Sequence, residues 1–216
     1  MASLWKHFQE GGFGMWIILF WSVVIIGITI ERALYLFGSG INKDMFLATM
    51  QKCILAGDVQ KAVKMCSAAN APLARIVQAG LVKVNRPDEE VQAAMDEAAL
   101  REIPRLSKRT SYLSLLANLS MLSGLLGTVS GLISSFGAVS GESVDPSQKA
   151  RILAAGISEA MNCTAFGLIV AILGLISFAV LNGKTQGLED DINEASVQVL
   201  NLVVTNRQKV NLGGAV

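Results

Sequence analysis

The chain has 216 residues, 52% of them hydrophobic, and a mean hydropathy of +0.49, too apolar for an ordinary soluble domain and too long for a bare anchor. Lys and Arg number 18 against 17 Asp and Glu, so overall charge gives no reason to expect nucleic acid as a partner. Three cysteines, Cys53, Cys66 and Cys163, are odd in number and lack a C-x-x-C spacing; they read as reduced and structural.

Residues 1–13 place Trp5 and Phe8 among Lys6, His7 and Glu10, with Trp16 following, a composition suited to a membrane interface ahead of a spanning helix. His7 has no second ligand at helical spacing and reads as an interfacial side chain. Gly11 to Ile30 carries no charge and closes on Glu31-Arg32, which predicts transmembrane helix 1 over 14–37. The run is too long for a secretory signal and shows no small-residue cleavage pattern before Arg32, so it is expected to stay attached.

Residues 38–110 read as a cytoplasmic helical loop. Breaks at Gly38-Ser39-Gly40, Gly57-Asp58, Asn70-Ala71-Pro72 and Asn85-Arg86-Pro87 cut it into short helices whose apolar residues recur at helical spacing. Pro87-Asp88-Glu89-Glu90 looks like a helix start, because proline suits the first turn and acids suit the positive end of the helix dipole. From Asp88 the pattern runs on to Tyr112, which predicts that the second membrane helix continues into the aqueous phase with a bend at Pro104. Arg101, Arg105, Lys108 and Arg109 crowd its entrance, and Arg32 and Lys43 flank helix 1 on the same side; by the positive-inside rule that side is cytoplasmic.

Transmembrane helix 2 is expected over 111–140, a periplasmic turn over 141–150 and transmembrane helix 3 over 151–182. No charge interrupts Thr110 to Gly141, and Glu159 alone interrupts Ile152 to Gly183. Residues 183–216 then carry Glu189, Asp190, Asp191 and Glu194 opposite Ile192, Ala195, Val199, Leu202 and Val203, which suits an amphipathic cytoplasmic helix. The fold expected is therefore all-α, an integral membrane protein with three transmembrane helices, the second and third long enough to reach into the cytoplasm.

Inside the hairpin, Ser120, Gly124, Gly127, Gly131 and Ser134 form one small-residue stripe, and Gly156, Ala160, Cys163, Gly167, Ala171 and Gly174 another. Such stripes let helix backbones approach closely. Packing does not explain Glu159, because a carboxylate facing lipid costs about 2.5 to 3.5 kcal/mol on insertion scales. Counted from the turn, Thr128, Glu159 and Thr164 lie about 18 to 25 Å along their helices, so they can share one layer of the bilayer. One carboxylate and two hydroxyls make a poor catalytic set, without a paired acid, a His base or a metal cluster in that layer. No enzyme activity, cofactor or metal is expected. What such a layer can do is take up a proton or line a wet path for one, and a symmetric oligomer would repeat it as a ring.

Two runs carry a family resemblance: Gly124-Leu125-Leu126-Gly127-Thr128-Val129-Ser130-Gly131-Leu132-Ile133, and Gly156-Ile157-Ser158-Glu159-Ala160-Met161-Asn162-Cys163-Thr164-Ala165-Phe166-Gly167-Leu168. Together they resemble the signature of the MotA/TolQ/ExbB proton-channel family, most closely its three-helix ExbB/TolQ branch. The similarity extends to Glu31-Arg32 and to the Gly57-Asp58 and Ala71-Pro72 breaks. The chain departs from the family where relatives carry proline, reading Ser120-Met121-Leu122-Ser123 and Ile172-Leu173-Gly174 instead.

The resemblance implies a homopentamer in the bacterial inner membrane, amino terminus periplasmic and carboxyl terminus cytoplasmic, with helices 2 and 3 around a central pore. A dimer of a single-span ExbD/TolR-like protein would occupy that pore, and a TonB- or TolA-like envelope protein would receive the force. Thr128 and Thr164 match the family's pore threonines and Glu159 its third-helix glutamate. The alternative from another class is a passive membrane scaffold that only assembles helices; an intramembrane hydrolase would need a second catalytic group that the sequence does not offer.

Overall fold

The computed structural model describes residues 12–140 and 145–206. Trp5, Lys6, His7, Phe8 and Glu10 of the expected interfacial segment, and Gly141 of the expected turn, lie outside them. Among the described residues the chain forms seven α-helices: α1 Gly12–Ser39, α2 Lys43–Leu55, α3 Val59–Ala68, α4 Pro72–Val82, α5 Asp88–Ser107, α6 Thr110–Val139 and α7 Pro146–Thr205. Three helical stretches are long and apolar enough to cross a membrane, one at α1, one ending in α6 and one in α7. The 60 residues of α7 span about 90 Å at 1.5 Å per residue, three times the hydrocarbon thickness, so this helix must continue far outside the bilayer.

The chain divides into two compact units, Met1–Arg32 with Arg109–Val180, and Ala33–Lys108 with Leu181–Val216. In the first unit α1 presents Met15, Ile18 and Ile25 inward, while Trp16, Phe20, Val23, Ile26 and Ile30 point out. That spacing is one helical stripe against protein and the remainder toward lipid or further subunits. Glycines set how near the helices come. A Cβ on Gly174 of α7 would lie 3.0 Å from the Ala117 Cβ of α6 and 3.4 Å from the Ile25 Cδ1 of α1, so the three helices meet there at close range.

The second unit holds the short helices, each stopped where the sequence supplies a cap. Asn42 Oδ1 accepts from Met45 N at 3.1 Å and Asp58 Oδ1 from Lys61 N at 2.9 Å, satisfying backbone donors that α2 and α3 leave open. Gly57, between them, takes a φ of +74°, a conformation that a side chain would strain. Pro72 opens α4, and Asp88, Glu89 and Glu90 fill the first turn of α5 behind Pro87. Met50, Ile54, Ala62, Cys66, Ile76, Val77, Leu81 and Val91 are buried at the centre. The last turns of α7 add Leu188, Ile192, Ala195, Val199 and Val203, a stripe spaced by four and three residues.

One expectation changes. The helix from Asp88 does not run on into the membrane with a bend at Pro104: α5 ends at Ser107, and Arg109 adopts a left-handed φ of +67° before α6 begins at Thr110. A left-handed residue interrupts the helix, and for a residue with a Cβ that geometry is unfavourable. The Arg109 guanidinium donates to Glu31 Oε1 at 2.6 Å, a contact that helps to hold it. The third long helix, α7, is continuous through Asn182-Gly183. The tail residues from 184 continue the same helix, because burial of the Leu188 to Val203 stripe outweighs the roughly 1 kcal/mol helix penalty of one glycine.

Candidate functional site

The seam between α6 and α7 is built from backbone-to-backbone approaches. A Cβ on Gly167 would stand 3.0 Å from the Gly124 Cα and 2.9 Å from the Ser120 carbonyl oxygen, and one on Gly124 would stand 3.3 Å from the Thr164 Cα. Two turns further along α6, Gly131 faces Ala160 at 3.4 Å by the same measure. Gly127 receives the Cys163 Sγ, which also touches Gly14 of α1, and Gly156 receives the Ser135 hydroxyl. Each of the packing residues expected from sequence, Gly124, Gly127, Gly131, Gly156, Ala160 and Gly167, therefore lies in a close contact of the first unit.

That closeness brings Thr128 and Thr164 into direct hydrogen-bond contact, hydroxyl to hydroxyl. Thr128 Oγ1 also lies 3.2 Å from the Gly124 carbonyl oxygen and 3.3 Å from that of Ala160, while Thr164 Oγ1 reaches the Gly124 carbonyl at 3.2 Å. Each hydroxyl has a single proton, so two protons serve three neighbouring acceptors: the two carbonyls and the other threonine. Either threonine can donate to the other while the second donates to a carbonyl. The pair can therefore reverse its direction of donation without moving a heavy atom.

Glu159 does not join this pair. It precedes Thr164 by five residues, about 140° around α7 at 100° per residue, and opens instead into a groove of about 830 Å³. Its lining is mainly apolar, with Ile17 of α1, Leu126 and Ala138 of α6 and Ile152 and Ala155 of α7, and Ser123, Ser130, Ser134 and Ser135 of α6 supply its hydroxyls. Its carboxylate lies against Gly12, where a Cβ would collide with the Oε1 oxygen and where the φ of +62° itself favours glycine. The hydroxyl pair and the carboxylate thus occupy different faces of α7, the hydroxyls on the seam and Glu159 in the groove.

Five further participants, Gly12, Gly14, Trp21, Ser123 and Ser130, were not singled out from the sequence as site residues. Gly12 and Gly14 make room for Glu159 and Cys163. Trp21 Nε1 donates to Ser123 Oγ at 3.3 Å, tying α1 to α6. Ser130 donates to the Gly127 carbonyl at 3.2 Å. The signal for the serines was present, since Ser123 and Ser130 stand seven residues apart, two helical turns, beside the stripe that ends at Ser134. Nothing in the sequence pairs Gly12 with Glu159, which are far apart along the chain. Among the described residues no cluster of three or more His, Cys, Asp or Glu could hold a metal ion.

Fold and site together define a three-span, all-helical membrane protein whose hairpin carries a hydroxyl pair and one carboxylate in otherwise uncharged spans. A family model described as the MotA/TolQ/ExbB proton channel family matches residues 68–194. The ExbB-like 1 biopolymer transport protein of Synechocystis sp. is 31% identical over 180 residues, 82% of this chain and 70% of the relative. The Tol-Pal system protein TolQ of Haemophilus influenzae is 37% identical over 98 residues, 45% of this chain and 42% of the relative. Biopolymer transport protein ExbB of Pseudomonas putida is 33% identical over 98 residues, 45% of this chain and 29% of the relative. The chain belongs to the MotA/TolQ/ExbB proton channel family. It is accordingly a transport-type subunit of an energy-transducing membrane system.

Proposed function

We propose that the chain is the stator-like, proton-conducting subunit of an inner-membrane motor. Five copies surround a central pore lined by α6 and α7, and a dimer of a single-span ExbD/TolR-like protein stands within it. Proton flow turns the ring against that partner, which passes force to a TonB- or TolA-like protein for outer-membrane transport, envelope maintenance or motility. The amino terminus faces the periplasm, and the loop from α2 to α5 and the end of α7 face the cytoplasm, in keeping with the Lys and Arg that cluster on that side.

The observation that carries this reading is Glu159, placed with the Thr128 and Thr164 pair in a hairpin whose two apolar runs hold no other charge. A passive scaffold would use the same glycine seam and would gain nothing from an acid there. Threonines that can reverse their donation and, on another face of the same hairpin, a carboxylate that can accept a proton are the groups from which a proton path is built. Glu159→Gln keeps the size and polarity of the side chain and removes its proton exchange. In membranes containing the partner, it is expected to abolish proton-driven work while the oligomer still assembles. Undiminished work by Glu159→Gln would leave the scaffold as the better account.

A further inference from the structure

We propose that the groove between α1, α6 and α7 is a binding site for a lipophilic amine, an apolar molecule with one protonated nitrogen that pairs with Glu159. The inference takes Glu159 only as a carboxylate in apolar surroundings, so it stands apart from the reading of that residue as an ion carrier. At about 830 Å³ the groove falls within the range of roughly 300 to 1,000 Å³ found for small-molecule sites, which are mainly apolar with a few polar groups. Glu159 stands near its middle. The neighbouring Ala160 faces Gly131 of α6, and from Gly131 the lining extends about 10 Å along the helix to Ala138 and about 12 Å the other way to Ser123. A ligand centred on the carboxylate therefore meets apolar wall on both sides, Ile152 and Ala155 toward the turn and Leu126 and Ile17 away from it.

The polar groups of the lining select the ligand. Ser130 and Ser135 donate to the Gly127 and Gly131 carbonyls, at 3.2 and 2.8 Å, so their oxygens face the groove as acceptors. The Glu159 carboxylate adds acceptors and a negative charge. A protonated amine supplies both the donor and the opposite charge. Their attraction is stronger here than in water, because the effective dielectric constant among apolar side chains is lower. An anion in the same space is repelled by the carboxylate. A phospholipid acyl chain would leave Glu159 against hydrocarbon, the arrangement that membrane helices avoid. One oxygen of the carboxylate already lies against Gly12, which holds the group in place without filling the groove.

Photolabelling of the full chain in membranes, assembled with its partner, tests the site. The probe is N,N-dimethyldecylamine with an aliphatic diazirine in its chain, and the neutral counterpart is the same chain ending in a hydroxyl. Labelled residues are read by peptide mass spectrometry. The amine is expected to label Ile17, Leu126 or Ile152 at least about tenfold more than the neutral probe does, and excess unlabelled N,N-dimethyldecylamine is expected to suppress that labelling. Leu122 and Ile133, exposed but outside the lining, are expected to take both probes alike. Glu159→Gln is expected to bring groove labelling by the amine down to the level of the neutral probe. Ala155→Phe, which fills the groove beside an intact carboxylate, is expected to lower it for both probes. Equal groove labelling by the two probes in the parent, labelling confined to Leu122 and Ile133, or amine labelling unchanged in Glu159→Gln would overturn the site. None of these readouts needs ion flux, so their failure is separate from the loss of proton-driven work by which Glu159→Gln tests the proposed function.

Discussion

Thr128 and Thr164 are a pair in which each hydroxyl is the other's partner, so neither is properly judged alone. Replacing one by valine keeps the branched shape and removes a donor and an acceptor, and the remaining hydroxyl can still bond the Gly124 carbonyl 3.2 Å away. The net loss in stability is then about 1 kcal/mol, too little to unfold a membrane hairpin. If the pair relays protons, Thr128→Val and Thr164→Val are each expected to slow flux about tenfold, a barrier increase of about 1.4 kcal/mol. The double substitution is expected to be little worse than either single one, because the relay is broken once. Flux in reconstituted membranes, with subunit assembly measured alongside, checks this; two independent, multiplying losses would show that the hydroxyls do not act as a unit. Cys163, by contrast, is explained by packing, with its sulfur lodged between Gly14 and Gly127.

Among the helices, the carboxyl end of α7 depends on a polar clamp as well as on its apolar stripe. Lys43, in the first turn of α2, donates to Glu194 Oε2 at 2.6 Å and pairs with Asp191 Oδ1 at 3.0 Å. Those hydrogen bonds, the Glu194 one foremost, hold the ammonium well above its ordinary pKa. A raised folded-state value means that the clamp's contribution is complete below the unfolded lysine pKa of about 10.4 and fades as pH rises beyond it. Mild proteolysis between residues 188 and 203 is therefore expected to quicken above about pH 10.4 in the parent. In Lys43→Met the same sites are expected to be cut at a rate with no such step. A step of equal size in both chains would show that some other group titrates. Within the same unit, Glu102 bridges Arg75 at 3.0 Å and Arg105 at 2.8 Å and so holds α4 to α5. Burial pushes the Cys66 thiol up to about 11, which keeps it inert near neutral pH.

At the scale of the whole molecule, one chain leaves a large apolar surface outside its own core. Leu122, Leu125, Leu126, Val129 and Ile133 of α6, and Met161, Ile169, Ile172, Leu173 and Ile176 of α7, all lie exposed. Lipid can cover some of these residues and neighbouring subunits the rest, and the proposed ring assigns α6 and α7 to subunit contacts and to the pore. Native mass measurement of the complex released with its partner is expected to give five copies of this chain and two of a single-span protein. Any other stoichiometry would remove the central pore on which the rotary reading depends.

The three spans, the short helices between them and the close helix seam were legible in the amino-acid sequence, for a physical reason. Uncharged runs, caps such as Asn42 and Asp58, Pro72 and the glycine stripes act locally, through hydrogen bonds and periodicity that neighbours along the chain supply. Thr128, Glu159 and Thr164 could be found in the same way, as polar groups where the solvent is hydrocarbon. Only the tertiary structure could separate Glu159 from the threonines, because that depends on the rotation of α7 against α6 and on Gly12 arriving from the other end of the chain. It also decided that the turn before α6 falls at Arg109 rather than Pro104 and that α7 passes through Asn182-Gly183. Both outcomes are set by long-range contacts, Arg109 with Glu31 in one case and the buried Leu188 to Val203 stripe in the other, which outweigh the local preferences of single residues.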